Sequence, residues 1–332
     1  MIITRTPFRI SFAGGGTDLK EYYLKEPGMV ISTSIDKYIY VVIKRQIGIV
    51  EHKYRINWSK VEFKDKIDEI EHPIVREALR IFEIDFPIEI TTFTDIPGQT
   101  GLGSSSAFAV GLVHALYALK GKMVSKNVLA SRAATIEVDI LGRSMGKQDH
   151  YASAYGNLNI FTFNKDETVN IEPVPYKPEV KDLIEKNCLL FYLKSKRDAS
   201  KILEIQAKNT NNIFENLTAL KNLVYPFSEI FSSGNDIGKF GDLLHEGWLI
   251  KKELTKVISS DEIDIIYQKA LENGARGGKL LGAGGGGFLL LYVDENKRQS
   301  VINSLPNLFH LNIGFDQSGT RITYYDQSII TQ

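Results

Sequence analysis

Cysteine, histidine and net charge are all scarce in this chain of 332 residues. A single cysteine, Cys188, excludes an internal disulfide, and with only six histidines beside it a Cys/His zinc site has little to build on. Cys188 runs into Leu189-Leu190-Phe191-Tyr192-Leu193, which marks it as a buried strand residue rather than a reactive thiol. Forty basic residues balance forty acidic ones. Without a basic surplus the chain is not expected to bind nucleic acid, although a local basic pocket for a small anion stays open. No apolar run approaches the roughly 20 residues that cross a bilayer, so no membrane partner is expected. The opening Met1-Ile2-Ile3-Thr4-Arg5-Thr6-Pro7 reads as a first strand, not as a charged-then-apolar leader. The expectation from these absences is a soluble, cytoplasmic protein.

What is present is ordinary globular composition, 43% hydrophobic and 24% charged, in a length that suggests two domains. Short β-branched or aromatic runs at 2–6, 8–13, 30–33, 38–44, 54–58 and 88–92 predict strands. Residues 72–82 predict an amphipathic helix with Ile74, Ala78 and Ile81 on one side. Residues 107–119 are apolar on nearly every face and predict a buried helix. A second helix is expected over 126–141 and a strand over 158–163. Pro173, Pro175 and Pro178 mark a linker, which places the domain boundary near residue 180 and gives domains of 1–180 and 181–332. Beyond it come a strand at 188–194, helices over 199–223, 237–254 and 260–273, a strand at 288–293, a short helix at 297–305 and a last strand at 321–325. The fold class is α+β, in two mixed lobes.

Four segments could carry chemistry. Pro97-Gly98-Gln99-Thr100-Gly101-Leu102-Gly103-Ser104-Ser105-Ser106-Ala107 runs straight into the buried helix. Glycines let backbone N–H groups turn toward a ligand, and a helix start supplies unpaired donors and partial positive charge, so the segment points to phosphate binding; the plainer alternative is a loop that only caps the helix. It is not a Walker loop, because Ser104 stands where the lysine belongs. Nor is it a dinucleotide fingerprint, because Ser106 replaces the third glycine. In Pro7-Phe8-Arg9-Ile10-Ser11-Phe12-Ala13-Gly14-Gly15-Gly16-Thr17-Asp18 a strand ends in three glycines and a lone carboxylate, fit either to hold substrate hydroxyls or to form a bulged turn with an Asp cap. Glu137 sits among apolar neighbours, and a buried carboxylate needs a partner or a cation; Asp149 follows beyond Gly142 and Gly146, so only the fold could bring the two together. Leu281-Gly282-Ala283-Gly284-Gly285-Gly286-Gly287-Phe288 implies backbone packed tightly against something, either the phosphate loop or a strand entry.

In this order and spacing the segments resemble the GHMP kinases, the family of galactokinase, homoserine kinase and mevalonate kinase. The resemblance runs from Pro7 to Phe288, with one extra serine in the phosphate loop. It implies an N-terminal lobe related to ribosomal-protein domain 2 and a ferredoxin-like C-terminal lobe, with ATP and Mg²⁺ as cofactors. By similarity, Gly98, Gly101, Leu102, Gly103, Ser104, Ser105 and Ser106 hold the ATP phosphates. Ser105 and Glu137 match the Mg²⁺ ligands, and Asp149 and Arg9 match the catalytic base and the cation beside the accepting hydroxyl. Gly14, Gly15, Gly16, Thr17 and Asp18, with Gly284 and Gly285, match the substrate-binding positions. The Gly15-Gly16 opening, where galactokinase carries Glu-His, and Gly146-Lys147-Gln148-Asp149-His150-Tyr151 are most similar to the members that phosphorylate the anomeric hydroxyl of D-glycero-D-manno-heptose 7-phosphate to the 1,7-bisphosphate. The distal phosphate of such a substrate needs cations, for which Arg143, Lys147, Lys196 and Arg197 are candidates. Alternatives are another sugar 1-kinase acting on fucose or galactose, a non-catalytic sugar/ATP sensor, and a lipid-precursor or amino-acid kinase of the same fold. The expected partners are a sugar phosphate and ATP alone, with monomer or homodimer left open.

Overall fold

The computed structural model describes residues 1–194 and 199–326. Strand β1 (Ile2–Ala13) pairs antiparallel with β2 (Gly28–Arg45) along most of its length. The runs at 2–6 and 8–13 are thus one strand, with a register shift between Pro7 and Arg9. Such a bulge bends a strand and re-aims the residues beside it. Here that residue is Arg9. The first half of β2 pairs with β6 (Leu158–Phe163) and the second half with β5 (Ile88–Thr94). The sheet runs β12-β1-β2-β5-β3-β4, with β6 and β7 branching from β2. Its remaining strands are β3 (Tyr54–Asn57), β4 (Val61–Lys64), β7 (Val169–Pro173) and β12 (Arg321–Tyr325). The helix Ser104–Leu119 lies on β1 and β2 and is buried along nearly its whole length, as its all-round apolar sequence requires.

The second sheet is antiparallel, in the order β11-β8-β10-β9. Its strands are β8 (Cys188–Tyr192), β9 (Ala275–Leu280), β10 (Phe288–Val293) and β11 (Phe309–Leu311). Helices fill the β8–β9 connection, and Arg298–Ser304 joins β10 to β11, which is ferredoxin-like connectivity. Cys188 is fully buried in β8, and burial pushes its thiol up to about 12. The expected boundary at 180 lies inside the helix Pro178–Asn187, and β12 returns the end of the chain to the first sheet. Phe12, near the end of β1, packs among Phe227, Phe231 and Phe240 with ring centroids 5.9, 5.9 and 5.1 Å away, so one apolar core ties β1 to the second lobe.

Several helices differ from expectation. The 126–141 stretch is α-helical only over Lys126–Ala134 and then widens into a π-turn at Thr135–Ile140. The 199–223 stretch is broken into Ala199–Asn209 and Phe214–Asn222, and a further helix, Val224–Ser233, follows despite Pro226. Pro226 stands in the first turn, where its missing N–H costs no helical bond. The helix Pro73–Ile81 buries Ile74, Val75, Ala78 and Leu79, a face rotated away from Ile81. Asp261–Glu272 is capped by Ser260, whose hydroxyl accepts from the Ile263 N–H, as the sequence predicts.

Candidate active site

A cavity of about 940 Å³ is walled by the ends of β1 and β5, the start of the Ser104–Leu119 helix, the 143–149 segment, and the Lys239–Leu254 helix with β9. Gly101 and Gly103, ahead of the helix, have φ of +83° and +75°. A Cβ on Gly101 would stand 2.6 Å from the Leu281 carbonyl oxygen, and one on Gly282 would stand 2.7 Å from the Gly101 Cα. The 282–287 run therefore packs backbone to backbone on the 98–103 loop, and Phe288 N–H donates to the Thr100 carbonyl at 3.1 Å. Gly98, Gly101, Gly103, Ser104, Ser105 and Ser106 line the cavity, and the first-turn N–H groups at 104–106 have no intrahelical acceptor. Leu102 is buried and does not line it. Gly284 and Gly285 pack on Ile258, while Gly282 and Ala283 reach the cavity in their place.

Arg9 and Asp149 meet across the fold. Arg9 Nε and Nη2 donate to the two carboxylate oxygens at 2.6 and 2.7 Å, and Nη1 donates to the Gly101 carbonyl at 2.7 Å. Arg9 is 4% exposed. The pair rests directly on the loop, because a Cβ on Gly103 would stand 3.1 Å from Asp149 Oδ2 and 3.3 Å from Arg9 Cγ. A bidentate guanidinium takes one hydrogen bond to each carboxylate oxygen and leaves lone pairs for a further donor.

Glu137 is wholly buried in the π-turn, a helical irregularity frequent at functional sites. Its carboxylate accepts from Ser105 Oγ, from Arg143 Nη1 and, at 2.9 Å, from His150 Nε2. Burial pushes its pKa up, but the hydrogen bonds and charges of His150, Ser105 and Arg143 outweigh this and hold it below the usual value. Arg143 Nη1 also donates to Ser105 Oγ at 2.7 Å. The carboxylate and hydroxyl at a helix start are hard oxygen donors of the kind Mg²⁺ takes when phosphates complete its shell. No group of three or more acids, histidines or cysteines fit to hold a metal ion occurs among the described residues.

Asp18 accepts from the N–H of Gly16 at 3.0 Å, the N–H of Gln148 at 3.1 Å and Gln148 Nε2 at 3.0 Å. Burial raises its pKa, the nearby Asp149 charge adds to this, and the backbone donors oppose it. Gly146 makes room for it: a Cβ there would stand 1.8 Å from Asp18 Oδ2. Gly14, Gly15, Gly16 and Asp18 line the cavity, whereas the Thr17 hydroxyl is spent on the Gly14 and Met29 carbonyls and the Met29 N–H. Ser11 Oγ and Gln148 Oε1, beside this turn, have no hydrogen-bond partner among the described residues.

Of the cations considered for a distal phosphate, Arg143 is committed to Glu137, and Lys147 pairs with Glu167 at 3.0 Å away from the cavity. Lys196 and Arg197 lie outside the described residues. Motif reading missed Ser11, Gln148, His150, Lys251 and Lys279. Gln148 and His150 flank Asp149, and Lys279 precedes the 282–287 glycines, so position beside a motif was the only available signal. Lys251 lies in the last turn of an ordinary helix and gave none.

The family model for the GHMP kinases N terminal domain matches residues 73–157, and that for the GHMP kinases C terminal matches residues 217–311. The chain belongs to the GHMP kinase family, and its two sheets and loop-capped helix are the fold of that family. Over 315 residues, 92% of this chain and 93% of the relative, it is 30% identical to a D-glycero-alpha-D-manno-heptose 7-phosphate kinase of Campylobacter jejuni. It is also 25% identical to a galactokinase of Pyrococcus furiosus over 333 residues, 90% of this chain and 91% of that one. The crystal structure of a D-glycero-D-manno-heptose 1-phosphate kinase from Bacteroides thetaiotaomicron shares the fold with a TM-score of 0.80 at 23% identity, covering 98% of this chain and 100% of that one.

Proposed function

We propose that the protein is an ATP-dependent sugar kinase that phosphorylates the anomeric hydroxyl of D-glycero-D-manno-heptose 7-phosphate, giving the 1,7-bisphosphate and ADP. The observation that carries this reading is the Arg9–Asp149 ion pair seated against Gly103, which sets a guanidinium and a carboxylate beside a glycine-rich loop at a helix start. The 30% identical heptose 7-phosphate kinase supports the choice of acceptor. A second reading, a kinase of a free sugar, is supported by the galactokinase likeness.

Phosphoryl transfer asks for positioning and charge neutralisation more than covalent help. The helix start and the 98–106 loop hold the triphosphate. The ring cluster of Trp58, His72 and Phe108, with centroids 4.8 and 4.9 Å apart, forms an apolar wall suited to adenine. Ser105 and Glu137 would hold Mg²⁺, which supplies charge neutralisation on the phosphates when bound. Asp18, Gln148 and Ser11 take the hydroxyls of the sugar. Asp149 accepts the hydrogen bond and then the proton of the anomeric hydroxyl as its oxygen bonds to the γ-phosphorus and the bond to ADP breaks. Arg9 offsets the negative charge gathered between them.

Coupled ADP release across heptose 7-phosphate, free heptose, galactose and fucose tests the proposal, with phosphorus NMR of the product. Turnover highest on the 7-phosphate, with a new anomeric phosphate signal, is expected. Higher kcat/KM on a free hexose or fucose would transfer the reading to the second kinase class, and no ATP turnover with any sugar would refute both.

A further inference from the structure

We propose that Lys251 and Lys279 together seat a phosphate group carried by the acceptor sugar, an assignment that rests on the sugar-kinase reading above. Lys251 comes from the helix Lys239–Leu254 and Lys279 from β9; each is 9% exposed, and both line the cavity. Their ammonium groups are fixed by carbonyls alone. Lys279 Nζ donates to the Phe12 carbonyl at 2.9 Å, and Lys251 Nζ donates to those of Leu280 and Gly282 at 2.8 and 2.6 Å.

Among the described residues neither lysine has an acidic partner, whereas both arginines of the same cavity do, Arg9 on Asp149 and Arg143 on Glu137. A buried cation without a counter-charge is unfavourable, and carbonyl dipoles orient an ammonium without neutralising it. Burial first, and then the neighbouring positive charges, lower the pKa of both lysines, that of Lys279 to about 7. Two ammonium groups that face a cavity close to each other and to Arg9 match a phosphate dianion, which restores the missing charge and accepts several N–H bonds at once.

The phosphate belongs to the acceptor rather than to ATP. The triphosphate already has the helix start and the 98–106 loop, while Arg9 and Arg143 are taken up by Asp149 and Glu137. The lysines come from the other half of the chain, and Lys279 is tied to Phe12, two residues ahead of the Gly14–Gly16 turn that receives the sugar.

The test compares wild type with Lys251→Met and Lys279→Met. Expected is a loss of about ten- to a hundredfold in the kcat/KM preference for heptose 7-phosphate over free heptose, from the removal of a charge-assisted contact, with KM for ATP within about threefold of wild type. Lys→Arg variants, which keep the charge, should recover part of the preference. Titration of inorganic phosphate by calorimetry gives a readout independent of turnover: wild type binds it, and the double Met variant binds it at least about tenfold more weakly. Equal losses on phosphorylated and free heptose, a rise in KM for ATP instead, or unchanged phosphate binding in the double variant would each overturn the assignment. If wild type turns over no sugar, the kinase reading fails on that result, and the phosphate titration still decides the lysine site.

Discussion

Replacing Lys279 by Met should stabilise the free protein at neutral pH and destabilise it in alkali. The ordinary lysine pKa of 10.5 falls to about 7 in the folded chain, first by burial and then by the Arg9 charge, while among the described residues the ammonium donates to the Phe12 carbonyl alone. The sign follows from where the proton is held more tightly. Between about pH 7 and 10.5 the unfolded chain binds the proton that the folded chain releases, so the folded state is penalised more as pH falls through that window and gains as pH rises. A shift of this size corresponds to on the order of 4 kcal/mol at pH 7, shrinking to about 1 kcal/mol by pH 10. Met has a similar volume and removes that penalty, but leaves the Phe12 carbonyl unpaired, a loss of about 1–3 kcal/mol at every pH. The net expectation is a gain of about 1–3 kcal/mol at pH 7 that vanishes and reverses by about pH 10. Urea unfolding followed by circular dichroism at pH 7, 8.5 and 10 reads this directly, and the midpoint curves of the two proteins should cross. Parallel curves, or a variant less stable at pH 7, would show that Lys279 bears no buried-charge penalty in the free enzyme. Inorganic phosphate at neutral pH should raise the melting temperature of wild type by preferential binding and leave that of the variant nearly unchanged.

Other substitutions separate the remaining roles. Asp149→Asn should lower kcat by about a hundredfold or more, the usual reach of a general base, while calorimetry finds ATP affinity nearly intact; full turnover would remove Asp149 from the chemistry. Glu137→Gln should shift the Mg²⁺ dependence of the rate to higher concentration, and an unchanged Mg²⁺ titration would contradict its role as a ligand. Gly146→Ala places a Cβ 1.8 Å from Asp18 Oδ2. It should therefore raise the acceptor KM by about tenfold or more through displacement of that carboxylate, with ATP affinity unaffected; equal effects on both substrates would mean the whole cavity has shifted.

Much of the site was legible because its chemistry is written in short segments. The Gly-rich run ahead of an all-apolar helix requires backbone donors at a buried helix start, and the structure has that arrangement. The 282–287 glycines announced close backbone packing, and the contact is with Gly101. The π-turn at Glu137 was not legible, because it differs from an α-helix by one residue per turn and leaves no compositional mark. Nor was the division of the substrate turn, where Thr17 serves the backbone and Ser11 and Gln148 face the cavity.

By itself the sequence determined the family, the two-lobed α+β fold and the three glycine-bearing segments, since apolar periodicity and the need for residues without Cβ are local properties. Only the tertiary structure decided which charges meet. Arg9 and Asp149 are 140 positions apart, Ser105 and Glu137 are 32 apart, and Lys279 reaches the Phe12 carbonyl across 267. Coulomb energy depends on distance and burial in space, and neither is encoded in spacing along the chain. For that reason two ordinary-looking lysines stand out only once folding has removed them from water with no acid among the described residues to face either one.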